Sequence, residues 1–366
     1  MNQTISRRRL LEGAGVSALS ALGAAAGAQS FDFRPNQRYP DPAVYLLDPS
    51  FAKYRIYSST VEQLGTGMRW AEGPAYFPET GTLILSDIPN NRLMRYEEKT
   101  GRFLVHKEAA NYANGNTRDR QGRLVTCEHS MTRRVVRTEK NGSTTVLADR
   151  FEGKRLNAPN DVVVKSDDSI WFTDPLFGIN GEWEGSRAPP EQASTNVYRI
   201  DKDGSITAVI TDIVNPNGLA FSPDEKKLYV VEWKGTPNRS IWSYDVSPDG
   251  RQLSNKVKLI DADGPGALDG FCVDRDGNLW CGWGYSGAVA LEASDIGGGM
   301  KAHLPLGRSE EMDGVKVFNA QGKPIGFIRL PERCANLTFG GPKLNRLYMA
   351  SSHSLYALYV EAHGSV

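Results

Sequence analysis

Polar and apolar positions along this chain repeat as one unit, six times. An acid or amide, often followed by Gly, opens a short strand; a turn follows; a second, almost wholly apolar strand then ends near an acid. The units run from Glu72 to Asp87, Asn114 to Glu128, Asn160 to Asp174, Asn217 to Glu232, Asp269 to Trp283 and Asn336 to Ser351. Each opening polar residue precedes the first apolar residue of its second strand by 10 or 11 positions, and successive units start 42, 46, 57, 52 and 67 residues apart. Intervals of that size suit a propeller blade better than a shorter solenoid repeat. Extra strand-and-turn segments, such as Asn196 to Ile200 before Asp203-Gly204 and Ser240 to Tyr244 before Asp249-Gly250, would supply outer strands. The pattern predicts an all-β fold: a six-bladed β-propeller with four-stranded antiparallel blades around a central channel, over 61–366. An N-terminal arm is expected at 29–60, with a closing strand drawn from 31–65.

The innermost strand of each blade lines a propeller's channel, so equivalent residues of the six first strands form a ring. That ring is Glu72, Asn114, Asn160, Asn217, Asp269 and Asn336. Asn and Asp often cap turns singly; six acids and amides in register instead suit a hard cation. Calcium takes oxygen donors in this way, and a ring without His or Cys speaks against zinc as the preferred ion. Zinc, magnesium and manganese remain as alternatives. Glu72 and Asp269 would balance a divalent charge. The second strands end at the same rim where the first begin, which puts Asp87, Glu128, His129, Asp174, Glu232 and Trp283 near the mouth. Asn114, His129 and Asp174 are expected to touch substrate, and Asp174 and Glu232 to orient ligands. Tyr285, Arg118, His353 and the insertion 178–195 are further candidates for shaping the pocket.

Composition adds boundaries. With 366 residues, 40% hydrophobic and 23% charged, the chain can bury a large core. Forty-three basic residues balance 43 acidic ones, so nothing points to nucleic acid or an anionic membrane as partner. The start is of another kind: Ser6-Arg7-Arg8-Arg9-Leu10-Leu11, a mildly apolar Ala/Gly/Leu run, then Ala26-Gly27-Ala28. That order reads as a twin-arginine export signal at 1–28, implying a periplasmic mature protein with no later span across a membrane. The spacing of Cys127, Cys272, Cys281 and Cys334 matches no zinc framework; buried thiols are expected, although Cys272 and Cys281 flank one turn. A monomer or dimer is expected.

Several stretches are similar to the gluconolactonase/regucalcin family of calcium-dependent six-bladed propellers, in particular its bacterial gluconolactonase branch. They are Ala71-Glu72-Gly73-Pro74, the run from Gly115-Asn116-Thr117 to Cys127-Glu128-His129, Leu156-Asn157-Ala158-Pro159-Asn160-Asp161, Trp171-Phe172-Thr173-Asp174-Pro175, Pro216-Asn217-Gly218-Leu219 and Leu268-Asp269-Gly270. The resemblance implies metal ligands at Glu72, Asn160, Asn217 and Asp269, with Asp269 also acting as catalytic base or nucleophile. It implies hydrolysis of a sugar lactone, with D-glucono-1,5-lactone as reference substrate. An esterase or phosphotriesterase of the same fold, or a non-enzymatic ligand-binding propeller, are the competing readings. Glu232-Trp233 departs from the family's usual aspartate after the fourth blade's second strand.

Overall fold

The computed structural model describes residues 33–233, 239–262, 266–285, 294–297, 300–302 and 311–365. The export pattern at 1–28 and the first residues of the arm lie outside them. Six sheets form the six blades, each running antiparallel from the axis outward. The innermost strands are Ala71–Phe77, Ala113–Arg118, Val162–Val164, Pro216–Phe221, Gly266–Val273 and Cys334–Gly340. The second strands are Thr82–Asp87, Leu124–Glu128, Ile170–Asp174, Lys227–Trp233, Leu279–Tyr285 and Arg346–Ser351. Four blades are completed by the next two strands in sequence. The fifth gains an extra outer strand, Val44–Leu46, and the sixth takes Glu62–Thr66 as its outermost strand beside Ser354–Tyr359. The ring is thus closed by pairing the two ends of the described chain.

The apolar core is divided into wedges between neighbouring blades. In Lys227–Trp233, Leu228 and Val230 pack toward the third blade, whereas Tyr229 and Val231 pack toward the fifth. Trp171 and Phe172 split the same way. Both faces of each second strand are therefore buried, which is why these strands read as unbroken apolar runs. Cys272 and Cys281 lie on opposite faces of their hairpin, Cys272 opposite Trp280 and Cys281 opposite Phe271, and all four cysteines are free thiols.

At the axis the pairing slips. Five of the six innermost strands carry a register shift at or beside the ring residue: at Glu72/Ala75, Ala113/Asn116, Pro216/Leu219, Leu268/Phe271 and Cys334/Asn336. A bulge bends the strand and re-aims the side chain it carries. Pro74 is accommodated in the first of these interruptions, where no ladder donor is needed. The bulges also bring adjacent inner strands into backbone contact. A Cβ on Gly73 would stand 2.2 Å from the Asn114 carbonyl oxygen, one on Gly115 2.4 Å from that of Asn160, and one on Gly218 2.8 Å from that of Asp269. Gly115 N–H donates to the Asn160 carbonyl at 2.7 Å. Glycine follows the ring residue in four blades because nothing larger fits between them.

This close approach makes Gly115→Ala costly, on the order of 1–3 kcal/mol from overpacking. Gly181→Ala, with nothing within 4 Å of its Cβ, should change stability by less than about 0.5 kcal/mol. Urea unfolding of the two variants checks the contrast.

Candidate active site

The ring residues meet. All six are buried, between 4% and 8% exposed. Asn217 Nδ2 donates to Asp269 Oδ1 at 2.8 Å across the boundary between the fourth and fifth blades. A Cβ on Gly270 would stand 2.3 Å from the Asn336 amide nitrogen, and the Asn336 side chain lies near enough to Glu72 and Asp161 to favour their ionised forms. Asn114 and Asn160 differ from the others: their side-chain amides have no hydrogen-bond partner among the described residues, although both residues are buried. Neither amide is among the enclosed side-chain groups that lack a partner, so both open on the channel, where water or a ligand can reach them.

Negative charge is concentrated at the same place. Burial pushes the Glu72 carboxyl well above its ordinary value, and the neighbouring Asp269 and Asp161 charges push it further. Burial likewise raises Asp161 to about 7, against hydrogen bonds from the Val162 and Leu219 backbone and from Asn336. No three His, Cys, Asp or Glu side chains among the described residues group closely enough to hold a metal unaided. A cation here would therefore rely on amide oxygens as well as Glu72 and Asp269. The donor chemistry fits a hard divalent ion, because acids and amides are what such ions take and the buried acids lack a matching positive charge on the Glu72 side.

Asp269 has additional partners that the repeat did not reveal. Arg333 Nη2 donates to its Oδ2 at 2.7 Å, and Arg239 Nη1 lies 3.9 Å from the same oxygen while bonding the Leu268 carbonyl at 2.8 Å. Burial and the adjacent Arg333 cation lower Arg239 to about 9. Asp161 also escaped sequence reasoning. The signal was present, since it occupies the position after the ring residue where four other blades have Gly.

The mouth acids are turned toward donors of their own blades. Asp87 Oδ1 accepts from the Arg69 N–H at 2.9 Å, and its Oδ2 holds Arg92 at the same distance. Asp174 accepts from the Asn157 and Ala158 N–H groups at 2.8 and 2.7 Å. Glu232 accepts from the Val214 N–H at 2.9 Å and from Trp242 Nε1 at 2.7 Å. Each carboxylate anchors the segment entering its own blade's inner strand. Glu128 is bound by Thr132 and Arg134. His129, expected to meet substrate, is fully buried, its Nδ1 against the Pro159 carbonyl at 3.0 Å and its Nε2 3.6 Å from Glu184. It is packed against Gly178 in the short helix Phe177–Asn180, which begins the insertion. Asp174 and His129 are thus parts of the wall. Sharing a rim was legible from hairpin geometry; the direction of each side chain was not. Trp283 packs in the wedge between the fourth and fifth blades, Arg118 pairs with Glu79 near the opposite rim, His353 contacts Glu332, and the Tyr285 side chain lies outside the described residues.

The family described as SMP-30/Gluconolactonase/LRE-like region matches residues 70–353. The chain belongs to this family. That span contains all six ring residues. A gluconolactonase of Zymomonas mobilis is 28% identical over 329 residues, 84% of this chain and 83% of its own length. A pentonolactonase of Haloferax volcanii is 25% identical over 290 residues, 78% and 83% of the two chains. Among solved structures, a gluconolactonase of Xanthomonas campestris matches with a TM-score of 0.74 at 32% identity, covering 90% of this chain and 96% of that one.

In this SMP-30/gluconolactonase propeller, a cavity of about 430 Å³ occupies the channel on the other side of the ring, toward Pro78, Arg120 and Glu225. Asp161 and Asn336 face it, whereas Glu72, Asn114, Asn160, Asn217 and Asp269 do not line it. The ring therefore separates the mouth from the rest of the channel.

Burial raises Asp174 to about 7, with the Asn157 and Ala158 donors pulling it back. An unfolded Asp titrates near 4, so the folded protein binds this proton more tightly. The stability gained is fully present below about pH 4 and is lost as the pH rises toward 7. Asp174→Asn should remove that contribution to the slope and cost on the order of 1–3 kcal/mol, because one backbone N–H loses its acceptor. Unfolding in urea across this pH range, in chelator, checks both effects; an unchanged slope would assign the titration to another group.

Proposed function

We propose that this protein is a metal-dependent lactonase that opens a sugar lactone, D-glucono-1,5-lactone or a similar aldonolactone, to its hydroxy acid. Calcium is the proposed ion, held by Glu72, Asn160, Asn217 and Asp269. The observation that carries the reading is the meeting of buried acids with uncommitted amides on one side of the channel, in a chain whose relatives include a gluconolactonase and a pentonolactonase. Its motifs and family membership favour lactone opening over the esterase and non-enzymatic alternatives. The export pattern makes the periplasm the proposed place of the reaction.

A bound divalent ion would polarise the lactone carbonyl and stabilise the negative charge that builds on its oxygen. The side chains supply the rest. Asp269 takes a proton from the attacking water as the water oxygen bonds to the carbonyl carbon; the ring C–O bond then breaks, and the leaving oxygen takes the proton to become the new hydroxyl. Asn217 fixes Asp269 from one side. In this structure Arg333 donates to the other carboxylate oxygen, which makes that oxygen a weaker proton acceptor while the ion pair is closed. Asn114, its amide uncommitted, is placed to bind a sugar hydroxyl.

Asp269→Asn should lower kcat for gluconolactone by at least about a hundredfold while the protein stays folded, its urea midpoint falling because Arg239 and Arg333 lose their carboxylate. Glu72→Gln should weaken Ca²⁺ binding, read by calorimetry, about tenfold or more, as loss of a charged ligand demands. Turnover that survives both Asp269→Asn and exhaustive chelation would overturn this mechanism.

A further inference from the structure

Arg239 and Arg333 have no assigned task in the chemistry above. Both side chains are largely enclosed, 12% and 18% exposed, and their guanidinium groups converge on a single oxygen of Asp269. Arg239 lies 5.3 Å from the Trp233 ring centroid and Arg333 5.9 Å from that of Trp70, distances at which an aromatic face attracts a guanidinium. Gly284 leaves the space Arg333 occupies: a Cβ there would stand 2.4 Å from the arginine's Cγ. Arg333 Nε is buried and donates to nothing among the described residues. Two enclosed cations thus share one carboxylate, which is itself proposed to serve a metal. Enclosing a cation is costly unless an anion meets it.

Building on the lactonase reading, we propose that the substrate is an anionic lactone, carrying a carboxylate or phosphate away from the ring carbonyl, and that Arg239 and Arg333 bind that oxyanion. Guanidinium groups pair with carboxylate and phosphate in a planar, two-pronged geometry that neutral hydroxyls match less well. The site also links binding to reaction. An arriving oxyanion that takes Arg333 away from Asp269 Oδ2 makes that oxygen a better acceptor for water's proton, so substrate charge should raise kcat as well as lower KM.

The test compares D-glucono-1,5-lactone with D-glucaro-1,4-lactone and 6-phospho-D-gluconolactone on the metal-loaded protein, alongside calorimetric binding of the product acids gluconate, glucarate and 6-phosphogluconate with and without chelator. At least one charged lactone should be favoured over the neutral one by about tenfold or more in kcat/KM, the scale of one charge-assisted bond. Arg239→Ala should collapse that ratio toward one and Arg239→Lys restore part of it; glucarate or 6-phosphogluconate should bind more tightly than gluconate in an Arg239-dependent way. Whichever charged lactone responds identifies the oxyanion. Gluconate binding as tightly as glucarate and 6-phosphogluconate, or a preference for the neutral lactone that Arg239→Ala leaves in place, overturns the proposal while leaving the lactonase standing. Arg239-dependent binding of the charged acids with no lactone hydrolysed would instead support the anion receptor and remove the lactonase.

Discussion

The site exists because adjacent inner strands are pressed together at the axis more closely than side chains permit. Gly73, Gly115 and Gly218 each lie where a Cβ would strike the next blade's backbone. The bulges at these positions turn the preceding acid or amide inward. Compression and orientation are therefore one device: the residue that must be absent lies beside the residue that must point at the axis. Wherever the inner strands spread, the six polar groups would lose both their shared focus and their shelter from water.

Shelter has an electrostatic consequence. Glu72 and Asp161 are held where their ionised forms are disfavoured, and they remain there because an amide and backbone donors offset part of the charge. The balance is uneven. The Glu72 side has acids and uncommitted amides, whereas the Asp269 side has more cation than carboxylate. A site divided in this way suits a substrate with an electron-poor carbonyl at one end and charge at the other.

Much of this was legible in the sequence. Blade number, strand pairing and the ring followed from a polar residue recurring ahead of an apolar run, because an inner strand and its neighbour keep a fixed relation in every blade. The partners of the mouth acids were not legible, for a physical reason. Hairpin geometry fixes the rim at which Asp87, Asp174 and Glu232 emerge, but not whether they face the lumen or the loop entering their own blade, and unpaired N–H groups at Arg69, Asn157 and Val214 decided it. Arg239 and Arg333 were hidden because they lie outside the repeated hairpin, one at the start of a third strand and the other just ahead of the sixth inner strand. Nothing periodic marks such positions.

The seam of the ring joins residues far apart in the chain: the Gln63 amide bonds Ser354, 291 positions away. Until Ser354–Tyr359 has been synthesised, Glu62–Thr66 has no edge to join, and the sixth inner strand with its Asn336 has no fixed place beside Glu72. Any cation affinity would thus be a property of the finished circle and not of a growing fragment. A chain cut short before its last blade would keep most of its wedges packed yet lack part of the polar ring, so on the proposed reading tight cation binding would report that the circle has closed.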